Sequence, residues 1–377
     1  MAEESVIIIN GNRLTFEPGE TVLQVARRNN VDIPTLCHLE GAIPTGACRV
    51  CVVEVKGART LVASCAAPAA PNMEVWTESP AVVKARKMVI QLLLSSGNHN
   101  CAVRGSDGEN WTQFQLGVQE ADNSGELCPV WGDCRLQDLA YRYQVSGERF
   151  SATDVRYPME TVNPFIVRDF SRCINCGRCV QACNEIQVNN AIHFGFRGSS
   201  TKIIAAGNRP LKDSDCVFCG ECVQACPVGA LVEKDVRYKV RPWETRKVQT
   251  TCTYCGVGCQ MHLHVKENQV VKVSGVDGAP PNYGSLCVKG RFGFDFIHSP
   301  ERLKTPLIKE NGQFRPATWD EALDFVASRL GQIKDEFGPD SLGLLTSARI
   351  SNEENYIANK FSRAVLKTNN IDHCARL

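Results

Sequence analysis

Two runs decide the fold: Cys173-Ile174-Asn175-Cys176-Gly177-Arg178-Cys179-Val180-Gln181-Ala182-Cys183, and Cys216-Val217-Phe218-Cys219-Gly220-Glu221-Cys222-Val223-Gln224-Ala225-Cys226-Pro227. Each spaces its cysteines C-x2-C-x2-C-x3-C, and together they form an internal repeat in a chain of 377 residues. Asn184 follows the first run where Pro227 follows the second, which relaxes a turn and removes no cysteine. The chain holds 20 cysteines, against a hydrophobic fraction of 43% and a formal net charge of only +1. That balance gives no reason to expect nucleic acid as a partner. The N-terminus MAEESVIIIN has no basic-then-apolar leader, and no apolar run is long enough to span a bilayer. A cytoplasmic chain with tightly spaced cysteines is expected, and there such cysteines bind metal more often than they form disulfides. A zinc-rich scaffold is the competing metal reading, but zinc does not favour triple-spaced C-x2-C-x2-C sets.

The two runs resemble a bacterial-type ferredoxin with two [4Fe–4S] clusters, placed here over residues 163–236. In that family the fourth cysteine of each run serves the other cluster. The resemblance therefore implies one ligand set of Cys173, Cys176, Cys179 and Cys226, and another of Cys183, Cys216, Cys219 and Cys222.

Working outward, residues 1–79 read as a small mixed α/β unit. Val6–Ile9 and Leu14–Phe16 flank Asn10-Gly11-Asn12, a hairpin signal. Thr21-x-x-Gln24 has the form of a capping box. Arg49–Val55, Thr60–Ala63 and Glu74–Thr77 are strand-like. Among these elements lie Cys37, Cys48, Cys51 and Cys65, spaced C-x10-C-x2-C-x13-C. The set resembles that of a β-grasp [2Fe–2S] ferredoxin, except that the usual first gap of four residues is ten here. The longer gap is similar to that of the large iron–sulfur subunit of respiratory complex I and of related hydrogenases and formate dehydrogenases.

Residues 80–150 begin with a helix predicted over Ser79–Ser95, its apolar face made by Val82, Val83, Met88, Val89, Leu92 and Leu93. His99, Cys101, Cys128 and Cys134 follow, and the segment resembles a domain that holds a [4Fe–4S] cluster with one histidine and three cysteines. Two spacings depart from that pattern: one residue separates His99 from Cys101, and 26 residues separate Cys101 from Cys128. Imidazole in place of thiolate makes a cluster less negative, which raises its potential.

After the repeat, Val232–Thr250 reads as a polar linker. Residues 247–304 then carry Cys252-x2-Cys255-x3-Cys259, with Cys287 after a gap of 27 residues, followed by Val288-Lys289-Gly290-Arg291. This resembles the N-terminal [4Fe–4S] domain of molybdopterin oxidoreductases, in which the lysine at the position of Lys289 lies between cluster and pterin and assists electron transfer. Residues 305–377 read as the start of an α/β molybdopterin domain. Thr318-x-x-Glu321 caps a helix striped by Ala322, Phe325, Val326, Leu330 and Ile333, which Gly338-Pro339 stops. Leu342–Leu345 is a predicted buried strand, and Ser351-x-x-Glu354 caps a helix through Ile357, Phe361 and Val365.

The order of these modules resembles the large subunit of cytosolic, NAD-linked, metal-dependent formate dehydrogenases. The implied fold is a multidomain α+β chain. The implied cofactors are one [2Fe–2S] and four [4Fe–4S] clusters, with Mo- or W-bis-molybdopterin guanine dinucleotide in the full-length protein. The implied reaction is formate to CO2. The implied partners are a flavin subunit that reduces NAD+ and a small [2Fe–2S] subunit. A complex I-like large iron–sulfur subunit and a stand-alone electron-transfer protein are the alternatives. The run Ser347–Tyr356, with Asn369-Asn370-Ile371-Asp372-His373-Cys374-Ala375-Arg376-Leu377, resembles the segment just before the Mo or W ligand. Cys374 is four positions too early to be that ligand, so residues 1–377 alone are expected to be inactive on formate. A UGA codon for selenocysteine is expected directly after Leu377. The downstream nucleotides test this, and an ordinary stop codon with no continuing frame would contradict it.

Overall fold

The computed structural model describes residues 5–96, 99, 128–145, 150 and 157–374. The chain divides into two compact units, Met1–Thr245 and Arg246–Leu377.

In the first unit, β1 (Val6–Ile9) and β2 (Asn12–Thr15) pair antiparallel with Ile9 opposite Asn12, so the turn is Asn10-Gly11 alone. Both turn residues have positive φ, as a two-residue hairpin requires. Helix α1 (Val22–Arg28) opens on a complete capping box between Thr21 and Gln24. β3 (Val52–Val55), β4 (Val62–Ala63) and β5 (Glu74–Trp76) complete a five-stranded sheet of order β2-β1-β5-β3-β4. Only the β1–β5 pairing is parallel. β3 starts later than expected because Arg49 takes φ 60°, which breaks the strand before Val50. Val22, Leu23, Val25 and Ala26 of α1 pack on Ile7, Ile9, Val53 and Val75, giving five strands laid on one helix, the layout of a β-grasp unit.

Helix α2 (Pro80–Ser95) begins where the sequence places it, with Ser79 as N-cap. Its inner face is different. Val82, Arg86, Ile90 and Leu94, four residues apart, are buried, whereas Leu92 is 47% exposed. The apolar count misjudged the face because a charged residue lies at its centre. Arg86 is fully buried. It donates to the carbonyls of Val50 (3.0 Å) and Val52 (2.8 Å), to Glu78 (2.6 Å), and to the hydroxyl of Tyr143 (2.8 Å) on α3 (Arg135–Tyr143). These hydrogen bonds stand in for those the cation would make to water, which is the condition for tolerating it inside.

The repeat folds as β6 (Ile166–Arg168), α4 (Arg178–Gln181), β7 (His193–Gly195), β8 (Lys202–Ile204), α5 (Glu221–Ala225) and β9 (Leu231–Glu233). β6 pairs with β9 and β7 with β8, both antiparallel. The expected linker over Val232–Thr250 is a correction: its first residues belong to β9 and are buried, and Trp243 lies against Gly132. Most of its charged residues are exposed, and the boundary between the two units falls within the segment. Arg241, however, is buried and donates to the carbonyl of Cys128 at 2.7 Å.

In the second unit, β10 (Arg246–Thr251), β11 (Gln260–Lys266) and β12 (Gln269–Gly275) form an antiparallel meander, followed by α6 (Val288–Phe292) and the hairpin β13 (Leu307–Glu310) and β14 (Gln313–Pro316). Helix α7 (Trp319–Phe337) takes its N-cap from Thr318 and ends at Gly338. Glu321 turns its carboxylate to Arg315 instead of back to the Thr318 backbone, so only half of the expected box forms. β15 (Leu344–Ser347) pairs parallel with β16 (Ile371–Cys374), and α8 (Asn352–Phe361) carries a full Ser351–Glu354 box. The expected burial of this region is also corrected. Phe325, Val326 and Ile357 are at least half exposed and Leu345 is 86% exposed, because two strands offer too little surface to cover the helices. No described helix is long and apolar enough to cross a membrane.

Arg86→Met is expected to destabilise the first unit by about 3 kcal/mol, because the carbonyls of Val50 and Val52 lose their donor and Glu78 its cation. Glu78→Gln, at a half-exposed carboxylate, should cost less than about 1 kcal/mol. Thermal unfolding of the two variants beside wild type gives the comparison.

Candidate metal centres

The first cysteine set lies where three loops converge. Cys37 follows α1, Cys48 and Cys51 lead into β3, and Cys65 follows β4. Cys37, Cys51 and Cys65 are buried and Cys48 is half-buried. The sulfurs fall into two pairs. The Cys37 N–H donates to Cys48 Sγ and the Cys48 N–H to Cys37 Sγ, both at 3.4 Å, while Cys51 Sγ lies 3.4 Å from Cys65 Sγ. Hydrogen bonding within each pair draws the Cys37 and Cys51 thiols well below the usual range and pushes Cys48 and Cys65 above it. The Ser64 hydroxyl donates to the Cys51 carbonyl at 2.8 Å, tying together the strands that carry the second pair. Two thiol pairs fit a centre of two iron atoms.

Of the second set, Cys101 lies outside the described residues. Cys128 and Cys134 are both buried, with Trp131 buried between them. Arg172 donates to Cys128 Sγ at 3.3 Å and pairs with Asp169 at 3.2 Å. Burial, with the Arg172 charge adding to it, lowers His99 to about 4. Its imidazole is thus neutral near pH 7, and its buried Nε2 has no hydrogen-bond partner among the described residues. A neutral imidazole with an unused ring nitrogen, acted on by the same arginine that touches a buried thiol, is the donor type that an iron centre takes.

The repeat gives the clearest geometry. One cavity is bordered by Cys173, Cys176, Cys179 and Cys226, a second by Cys183, Cys216, Cys219 and Cys222, and Cys222 reaches the wall of both. Both halves use the same backbone device. Asn175 and Phe218, each two residues after the first cysteine, have positive φ and donate N–H to that cysteine's sulfur at 3.4 Å. Gly177 and Gly220 then take φ near 80°, a region open to glycine, and start α4 and α5. Burial pushes the Cys173 thiol up to about 11 and Cys176 up to about 12, and drives Cys179 and Cys222 well above the ordinary range. Such thiols ionise only against a compensating positive charge, which iron supplies.

In the second unit, the Cys252 N–H donates to the Cys259 carbonyl at 2.8 Å, closing the loop that also holds Cys255. Cys287 is the N-cap of α6, and Gly290 of that helix lies against Cys252 Sγ. Burial raises Cys252 and Cys259, and each is raised further by other cysteines of the set, Cys287 included. Lys289 lies on α6, two residues after Cys287. No three His, Cys, Asp or Glu side chains among the described residues converge on a single-ion site. In the repeat the sulfurs ring cavities instead.

Sequence reading missed the arginines. Arg86, Arg172, Arg178 and Arg241 are all buried, and each bonds to a loop carrying one of these cysteines. The signal that was available is adjacency: Arg172 and Arg178 each sit directly before a cysteine of the repeat.

These modules define an iron–sulfur electron-transfer protein built into an oxidoreductase, and known proteins carry the same parts. A 2Fe-2S iron-sulfur cluster binding domain matches residues 4–80, and a 4Fe-4S dicluster domain matches 172–230. A molybdopterin oxidoreductase Fe4S4 domain matches 245–299, and molybdopterin oxidoreductase matches 302–377. YrhE of Bacillus subtilis, whose formate dehydrogenase name is provisional, is 33% identical over 98% of this chain and 39% of its own length. An NADH-quinone oxidoreductase chain of Rhizobium meliloti is 33% identical, and the NADPH-Fe(3+) oxidoreductase alpha subunit of Geobacter sulfurreducens 34%, each over 98% of this chain and 40% of its own length. A chain of a solved NAD+-reducing [NiFe]-hydrogenase superposes with TM-score 0.52 at 30% identity, over 63% of this chain and 90% of that one. The chain belongs to the molybdopterin oxidoreductase family with iron–sulfur domains, related to formate dehydrogenases, NADH-quinone oxidoreductase and NAD+-reducing hydrogenase. It spans about two fifths of the length of these curated relatives.

The cavity walls predict a crossed effect of single substitutions. Cys183→Ser should disturb the centre bordered by Cys216, Cys219 and Cys222, and Cys226→Ser the one bordered by Cys173, Cys176 and Cys179. Mössbauer spectra of each variant against the parent distinguish the crossed from the uncrossed outcome.

Proposed function

We propose that this chain is the iron–sulfur part of a formate dehydrogenase large subunit that passes electrons between a molybdopterin site and a flavin subunit reducing NAD+. The observation that carries the reading is the order of modules along one chain: [2Fe–2S] type, dicluster, molybdopterin-type Fe4S4, then the start of a molybdopterin domain. The proposed ligands are Cys37, Cys48, Cys51 and Cys65 for a [2Fe–2S] centre, and His99, Cys101, Cys128 and Cys134 for a first cubane. Cys173, Cys176, Cys179 and Cys226, then Cys183, Cys216, Cys219 and Cys222, hold the next two. Cys252, Cys255, Cys259 and Cys287 hold the last, with Lys289 on its pterin side.

Bound clusters supply one-electron carriers whose potential depends on charge, hydrogen bonds to sulfur and exposure. The chain's own groups act on each of these. The N–H groups of Asn175, Phe218 and Ala191 point at the sulfurs of Cys173, Cys216 and Cys183. Arg172 places a cation on Cys128, and the apolar walls of the cavities exclude water. Donors and cations at sulfur favour the reduced, more negative state and so raise a potential.

A complex I-like role is the second reading, favoured by the similarity to the NADH-quinone oxidoreductase chain of Rhizobium meliloti. Reconstitution should load about 18 iron atoms per chain, whereas a chain in which only the dicluster module binds would hold about eight. Residues 1–377 alone should not reduce a dye with formate, and the full-length protein should. Dye reduction with NADH but not formate by the full-length complex would favour the second reading.

A further inference from the structure

Two departures from the plain cysteine patterns meet in space. The first is the ten-residue gap Cys37-x10-Cys48; the second is Asn184, where the other half of the repeat has Pro227. Because α5 runs into Pro227, it ends at Cys226 in an extended conformation. With Asn184 instead, α4 runs on through a π turn, Ala182–Ile186. That extra turn, together with α4, meets the middle of the long gap. Glu185 accepts the Ile43 N–H at 2.7 Å, Gln181 donates to the Ile43 carbonyl, and Ile186 lies against Gly41. Both backbone groups of Ile43 are thus held by one helix of the dicluster module.

Arg178 completes the contact. It is buried, starts α4 directly after Gly177, and donates to the carbonyl of His38, the residue after Cys37, at 3.0 Å. One apolar cluster runs underneath: Leu36 and Val50, beside the first cysteine set, share it with Cys134 and Val228, and Cys48, Cys173 and Cys226 pack against it.

We propose that residues 38–47 are a docking loop for the extended α4, and that together they fix the [2Fe–2S] site at a set distance from the cubane of Cys173, Cys176, Cys179 and Cys226. Arg178 is the positioning residue at the centre of this contact. The inference rests on the ligand sets proposed above, but concerns the residues between two of them. It accounts for the long first gap by a contact that four residues could not reach. It also gives the missing proline a role, since a helix ending at Cys183 would not present Glu185 and Ile186.

The test is the electron spin relaxation of the [2Fe–2S] centre in the full chain after iron loading. In wild type, the microwave power that half-saturates its signal should rise when the neighbouring cubane becomes paramagnetic on reduction. The double variant Gln181→Ala with Glu185→Ala, which leaves every proposed ligand in place, should lose that rise several-fold at unchanged iron content. Asn184→Pro should do the same. Arg178→Lys should retain more of the rise than Arg178→Met, because lysine can still reach one carbonyl. Full iron with an unchanged rise in the double variant overturns the docking role alone. Wild type that loads no [2Fe–2S] centre overturns the ligand assignment and this inference together. An Asn184→Pro chain that loses iron leaves the double variant to decide.

Discussion

Sulfur atoms crowded into an apolar interior repel one another as soon as they ionise, and the chain is arranged around that repulsion. The buried sets of the first unit are met by positive ends of dipoles or by a cation. The repeat uses backbone N–H groups at 3.4 Å, set by residues in the left-handed region. The loop of Cys128 uses Arg172 at its sulfur and Arg241 at its carbonyl. The loop of Cys51 has Arg86 beneath it, bonded to the carbonyls on either side. These partners leave burial dominant, as the raised thiols of the repeat show. A metal bound at the ligand sets proposed above would complete that balance and would tie cofactor uptake to folding.

The same repulsion explains why secondary structure is sparse around the cysteines. The α-helical stretches α4, α5 and α6, which carry or adjoin most of them, are four or five residues long, although α4 continues in a π turn and α3 starts directly after Cys134. Longer helices would satisfy the backbone within themselves and leave few N–H groups for sulfur. Regular elements are pushed to the flanks, where α2, α3 and the five-stranded sheet supply the apolar surface on which the loops rest.

The modules were legible in the sequence because spacing between cysteines is a covalent constraint that survives any packing. Helix caps were legible for a similar reason: Thr21–Gln24 and Ser351–Glu354 act within one turn. What could not be read depended on distant partners. Arg86 looks like a solvated residue on α2 until Val50, Val52 and Tyr143 are placed around it. Arg178 and Glu185 look like surface charges until the His38–Ile43 loop arrives. The segment after β9 reads as a linker because most of its charges are exposed, and the inward bond of Arg241 to the Cys128 loop cannot be seen in sequence. The α7 stripe erred in the other direction, since a periodic pattern states which face is apolar and not whether anything covers it.

The contact of Trp243 with Gly132 has a consequence for biogenesis. A side chain at Gly132 would clash with the indole, so the loop between Cys128 and Cys134 is shaped by a residue made more than a hundred positions later. Arg172 and Arg241 act on the same loop, and they too are made after it. On the ribosome, the core of the β-grasp sheet and α1 can close once β5 has emerged, while α2 and the Cys37–Cys48 loop still await α3 and α4. The loop of Cys128 must wait until the whole repeat and the segment after it have followed. Nascent chains therefore pass through an interval in which cysteine-bearing loops are made before the residues that fix them.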